Sequence, residues 1–378
     1  MDAGLTIGAL VLYGLFDTPL FILWTISLCL ARRKSDPART FLPWFKAISP
    51  IWIVGIVFLT IGFALQLYNT FSEDFFSYSE SLIIAQASAH LWSTGTFLKL
   101  IADVLLLITF SELCGGFLLC IPESPRKHLK PTRIALLAAG GLIFVLDIAY
   151  FGVSTQFYKT YFSFLRDDDF DLRAESTIDR DGKTMSQLSG AVHILLWIVS
   201  LPIVGYASFV VHKTKNVPHL VNSSALLLTA TILDFIRLTV EMALNATYVL
   251  PDFAPRAPDY VDYIVSPLFD SVLMFVILVL LFTVSIRKQK GVWSTPQGWL
   301  PSGVPGFMPQ GPGQAQAGNG YVPGQQPYYY YPPQPQPGVG QQPMGQYPYP
   351  QYPQPVQQQG VPVQQVQHPE QEVKAVVT

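Results

Sequence analysis

A chain of 378 residues that is 50% hydrophobic, 13% aromatic and only 13% charged is too apolar for an average soluble domain. A net charge of -2 says nothing useful about nucleic acid, but with no basic run longer than Arg32-Arg33-Lys34 no nucleic-acid partner is expected. No Ser-His-Asp constellation or phosphate-binding loop stands out, so the chain is expected not to be an enzyme.

Seven apolar stretches follow in chain order: Leu5–Leu30, Ile48–Leu67, His90–Cys114, Arg133–Val153, Leu188–Val211, Ala225–Tyr248 and Tyr263–Ile286. Crossing a bilayer takes about 20 mainly apolar residues at about 1.5 Å each, and every stretch qualifies. The expected fold is an all-α, multi-pass integral membrane protein, a bundle of seven transmembrane helices over residues 1–290 with the lipid bilayer around it. The first stretch has no Lys or Arg before it and exceeds the length of a signal-peptide core, so it reads as a retained helix. Pro19, Pro202 and Pro267 are expected to kink the first, fifth and seventh helices.

Orientation follows from the basic residues. Fourteen of the 23 Lys and Arg residues follow the odd-numbered stretches, while six lie on the opposite side, five of them in one acidic segment. The amino terminus is predicted outside and the carboxyl terminus in the cytoplasm, with the plasma membrane the expected location. Tyr68 to Ala89 then forms an acidic, aromatic external loop. Gln156 to Gln187 is expected to be a long solvated loop around Asp167-Asp168-Asp169-Phe170-Asp171, or alternatively an acidic mouth that concentrates cations. Cys29, Cys114 and Cys120 all fall near cytoplasmic helix ends, which leaves no external disulfide and makes palmitoylation at Cys114 or Cys120 an alternative to plain packing. Asn245-Ala246-Thr247 is a glycosylation sequon very close to the bilayer.

From Gly291 the composition changes. Residues 291–373 contain no Lys or Arg and are dominated by Gln, Pro, Gly and Tyr. Residues 291–378 are therefore predicted to be a disordered, low-complexity cytoplasmic tail, because so little apolar surface cannot offset the entropy of ordering.

The charges inside the apolar stretches carry the functional argument, since an ionisable group in hydrocarbon costs several kcal/mol and is retained where something uses or pairs it. Lys99 and Asp103 share a face of the third helix. Asp234, Arg237 and Glu241 fall on one stripe of the sixth. Asp17 lies near the middle of the first helix, Asp147, His193 and Asp270 lie nearer external ends, and Glu112 lies near a cytoplasmic end. Two positive charges, Lys99 and Arg237, face six carboxylates: Asp17, Asp103, Asp147, Asp234, Glu241 and Asp270. One reading makes Lys99–Asp103 and Asp234–Arg237 ion pairs that fix packing. The other makes the surplus carboxylates part of a cavity. On it, Asp103, Asp147, His193, Glu241 and Asp270 are candidates to bind a ligand or ion, beside an interior network of Asp17, Lys99, Asp234 and Arg237. Zinc chemistry needs about three ligands. Here only His90 and His193, with Asp147 as a third, lie at suitable depth, so no metal and no cofactor is expected.

This layout, with its polar outer half and Gln/Pro/Tyr-rich tail, resembles the fungal seven-helix, receptor-like integral membrane proteins in topology and composition. The third helix ends in Ser111-Glu112-Leu113-Cys114 without an Asp-Arg-Tyr triplet. The seventh has neither Asn-Pro-x-x-Tyr nor a lysine for a retinal Schiff base. The resemblance implies a receptor-like protein, and Asp147, His193, Glu241 and Asp270 in the outer half make an external small molecule or cation the expected ligand. Pro332-Pro333-Gln334-Pro335 in the tail is a candidate docking segment for a cytoplasmic partner. A secondary transporter or proton-coupled carrier is the alternative, and a structural membrane protein without a ligand the third.

Overall fold

The structure, a computed structural model, describes residues 3–31, 36–71, 77–121, 129–166, 172–250, 258, 260–288 and 291–294. Among these residues the regular structure is helical and no strand occurs. Seven α-helices follow one another: α1 (Ala3–Leu30), α2 (Leu42–Phe71), α3 (Tyr78–Leu119), α4 (Leu129–Arg166), α5 (Leu172–Thr214), α6 (Pro218–Tyr248) and α7 (Leu273–Ile286). Six candidate spans, on α1, α2, α4, α5, α6 and the stretch Tyr263–Ile286, are long and apolar enough to cross a bilayer. The remaining helix, α3, lies against α2, α4, α5 and α6, and α1 packs against both α2 and α7.

Local chemistry sets the helix starts. Asp36 accepts from the Ala38 N–H at 2.8 Å and caps a 3-10 turn, Pro37–Arg39, that leads into α2. At the start of α3 the Ser77 N–H and hydroxyl both donate to Glu80 Oε2, at 3.1 and 2.9 Å. These bonds hold the Glu80 carboxyl below its ordinary value. Pro218 opens α6, where a missing N–H costs nothing. The kink expected at Pro267 takes another form: two π-helical turns, Val261–Val265 and Leu268–Val272, flank it before α7. A proline has no N–H to give and its ring crowds the preceding turn, so the helix widens instead of breaking.

Helices α3, α4 and α5 run to 42, 38 and 43 residues, well beyond a bilayer's need. This corrects the expected loop at Gln156–Gln187, which is helical as far as Arg166 and again from Leu172. The cause is an aromatic pattern at helical spacing. Phe157 stacks on Tyr161 at 5.9 Å, Tyr161 meets Phe162 at 5.3 Å, and Tyr158 meets His90 of α3 at 6.2 Å. Arg166 Nη2 adds a bond to Gln86 Oε1 at 3.3 Å. The run Asp167–Asp171 lies outside the described residues.

Packing is closest between α2 and α3. A stripe of α2, Phe45, Ile48, Trp52, Ile56, Leu59 and Phe63, recurs every three or four residues and is buried throughout. Gly55 and Gly95 let the two backbones approach, since a Cβ on Gly95 would fall 2.8 Å from the Gly55 carbonyl oxygen. The Ser88 hydroxyl donates to the Gly62 carbonyl at 2.9 Å across the same seam. Small residues and interhelical hydrogen bonds of this kind hold helices together where lipid removes the hydrophobic drive. The outward faces are apolar instead: Val11, Leu15, Ile134 and Val145 are all at least 60% exposed.

Beyond Gly291, where the composition changes, Val292 and Trp293 are still buried. Trp293 lies 4.0 Å from the Arg39 guanidinium and donates Nε1–H to the Arg287 carbonyl at 3.1 Å. Ser294 donates its N–H and hydroxyl to Asp36 at 2.9 and 2.6 Å. The rest of the expected tail, 295–378, lies outside the described residues. Cys114 and Cys120 are buried, which removes them as palmitoylation sites.

Candidate functional site

The charged stripe of α6 turns inward, and its centre is Arg237, fully buried. Arg237 Nη2 donates to Asp103 Oδ1 at 2.6 Å and to Asp234 Oδ1 at 3.0 Å. Nη1 donates to Glu241 Oε1 at 3.1 Å and reaches Asp103 Oδ2 and Asp270 Oδ1 at 3.4 Å. Nε reaches Asp234 at 3.3 Å. One planar guanidinium thus distributes its fork of donors over carboxylates from α3, α6 and the π turn before α7. Lys99 forms an ion pair with the other oxygen of Asp270. The Trp52 ring lies 5.4 Å from Lys99 Nζ and 5.9 Å from Arg237 Cζ, turning a π face toward both cations.

The structure groups the sequence candidates differently from the expected pairs. Lys99 pairs with Asp270 and not with Asp103, because the Asp103 carboxylate is engaged by Arg237. Asp103, Glu241 and Asp270 join Lys99, Asp234 and Arg237 in one cluster. That cluster has two cations and four carboxylates, a formal excess of two negative charges when all are ionised.

Three candidates stand beside it. Asp147 of α4 is completely buried, neither of its oxygens has a hydrogen-bond partner, and Asp103 lies within electrostatic range. Asp17 of α1 is half-buried and interacts with Tyr13 one turn earlier, which also feels Glu241. His193 Nδ1 lies 2.8 Å from the Ser189 carbonyl oxygen. A carbonyl only accepts, so Nδ1 carries the proton in that contact. Asn245 donates to the Ser189 hydroxyl at 2.9 Å, while its own Oδ1 is buried without a partner. Its burial against α5 leaves no room for a glycan.

Sequence reasoning did not single out Trp52, Tyr13 or Ser189. A Trp in an apolar stripe reads as core, and only its position beneath two cations marks it. His90, His193 and Asp147 do not converge: His90 faces Tyr158 and His193 faces Ser189. Among the described residues no group of three or more His, Cys, Asp or Glu side chains is arranged to hold a metal ion. Within the cluster, Arg237 stands among the carboxylates of Asp103, Asp234, Glu241 and Asp270. Comparison of the chain with protein families, curated proteins and solved structures finds no match.

Proposed function

We propose that the chain is a seven-span, receptor-like membrane protein of the fungal type, which binds an external small molecule or cation in the outer half of its helical bundle. The observation that carries this reading is Asp147: a buried carboxylate with no hydrogen-bond partner, beside a cluster with two negative charges in excess. An unpaired charge in a low-dielectric interior is costly, and a cationic ligand group satisfies it. The Asn245 carbonyl oxygen on α6, buried without a partner, offers a hydrogen-bond acceptor, with His193 of α5 beside that side chain. A ligand held there redistributes the contacts of Arg237, which ties α3, α6 and the approach to α7 together. In this reading the amino terminus is outside, the membrane is the plasma membrane, and the cytoplasmic loops and Pro-rich tail meet a partner.

A proton- or cation-coupled carrier is the second reading, favoured by the same charge excess. One pair of experiments separates the two. Purified full-length protein is screened by thermal shift against monovalent and divalent cations and small organic amines, with Asp147→Asn and Glu241→Gln in parallel. A receptor gives a shift of several degrees with one compound, lost in Asp147→Asn, since a ligand that binds only the folded state stabilises it. Accumulation of that compound in proteoliposomes, dependent on the same carboxylates, replaces the receptor with a carrier. If no compound shifts the protein and Asp147→Asn simply melts higher, the buried charge is structural and both readings fail.

A further inference from the structure

At the end of the bundle where α4 begins, two cavities meet. The first, about 260 Å³, is bordered by Glu112 of α3 and by Lys130 and Arg133 of α4. The second, about 210 Å³, is an apolar slot between α4 and α5 lined by Ala135, Ala139, Pro202 and Ile203. Both share Ser111, Thr132 and Tyr206, so they are contiguous. The sequence explains the slot. Two alanines on α4 face a proline inside α5, where small side chains and an interrupted hydrogen-bond ladder leave the helices apart.

The chemistry changes along this joined space. Its end is cationic: Lys130 and Arg133 are exposed in the first turns of α4, where free backbone N–H groups add positive potential. Glu112, buried at its side, holds Arg133 Nε at 2.5 Å, and the terminal nitrogens of a guanidinium carry further donors. One to two turns further in, the lining is aliphatic. The neighbouring Leu137 and Leu201 are exposed on the outer surface, so the slot lies beside the apolar exterior of the bundle.

We propose that this joined cavity binds an anionic phospholipid, with the phosphate headgroup against Lys130 and Arg133 and an acyl chain in the slot between α4 and α5. The occupant follows from complementarity: one cationic end, hydroxyls at the junction, and a narrow apolar continuation at the surface facing hydrocarbon. Basic pockets between membrane helices recognise lipid headgroups in this way. The inference is independent of the receptor reading and of which face of the membrane this end occupies.

The test uses purified full-length protein in neutral detergent, with lipid retention measured by native mass spectrometry. The probes are phosphatidate, phosphatidylcholine and inorganic phosphate. Phosphatidate is expected to bind roughly tenfold or more tightly than phosphatidylcholine, given two basic side chains at the headgroup. Lys130→Ala with Arg133→Ala abolishes that preference, whereas Lys213→Ala, on an exposed lysine elsewhere, leaves it unchanged. Ala139→Phe fills the slot and weakens retention of phosphatidate. Glu112→Gln frees Arg133 from its competing carboxylate and tightens phosphatidate binding, an increase that misfolding does not produce. Equal retention of both lipids, or a preference unchanged in the double variant and in Glu112→Gln, overturns the proposal. So does protection by inorganic phosphate equal to that by phosphatidate and insensitive to Ala139→Phe, which makes the site one for free phosphate.

Discussion

Arg237 and Arg39 are both buried arginines in one molecule, and their surroundings are opposite. Arg237 meets four carboxylates drawn from three elements. Arg39 instead donates to the Ser285 carbonyl and lies on the face of Trp293, while its Nε is buried without a hydrogen-bond partner. Its one carboxylate neighbour, Asp36, acts on it electrostatically while accepting hydrogen bonds from Ala38 and Ser294. The first guanidinium is over-supplied with anions and locks helices together. The second, at the end of the bundle, rests on a carbonyl and a ring and joins short segments. Charge held by counter-charges from distant elements resists opening. Charge held by an aromatic clasp yields locally, at the low-stability end of the range of openings a fold undergoes.

The sharpest way to break this contrast is Arg237→Leu. It leaves Asp103, Asp234, Glu241 and Asp270 with Lys99 alone, and removing one side of a buried ion pair costs about 3–5 kcal/mol. Folded yield and unfolding in detergent are expected to fall accordingly; a variant that melts like the wild type dissolves the distinction. Trp293→Ala comes next, at about 3 kcal/mol for a large buried ring. Here the loss is expected in the clasp, read as faster hydrogen exchange around Ser285 and Ser294 with the α3–α6 core still protected. Global melting without local opening would show that the two regions are one cooperative unit. Asp36→Ala removes a helix cap and the Ser294 contacts, a loss of about 1–2 kcal/mol confined to the same end.

The smallest effect belongs to an exposed charge, Glu80, which serves as a baseline. Its two bonds from Ser77 hold the folded carboxyl below the ordinary value of 4.5. Stability from this group is therefore present above that value and lost as the pH falls through the folded one. Wild type is expected to melt slightly above Glu80→Gln at neutral pH, and the two curves to converge in acid. A gap that persists in acid would assign the effect to something other than the carboxylate.

Much of the helical order was legible because hydropathy reports spans directly, and the 234–237–241 spacing placed three charges on one stripe. Partner choice was not legible. Local spacing joins Lys99 to Asp103, but Asp270 comes from a distant element and takes Lys99, releasing Asp103 to Arg237. Nothing local in the sequence encodes that exchange. Windowed hydropathy also averages away the aromatic spacing of Phe157, Tyr161 and Phe162, which carries α4 on to Arg166. Trp293 is a single aromatic in a low-complexity context, and only the tertiary contact with Arg39 shows that it is structural.

The two π turns around Pro267 give the position of Asp270 an angular meaning. A π turn closes its hydrogen bond one residue later than an α turn, and one residue is about 100° of rotation around a helix. Asp270 lies inside the second of these turns. Five residues in a π turn sweep about the same angle as four in an α-helix, so the turn absorbs one extra residue and leaves the helix on either side in phase. One residue more or fewer in a segment held to plain α winding would instead rotate everything on one side by about 100° and carry the Asp270 carboxylate away from Lys99 and Arg237. The ion pairs at the heart of the bundle thus depend on helical phase as much as on residue identity.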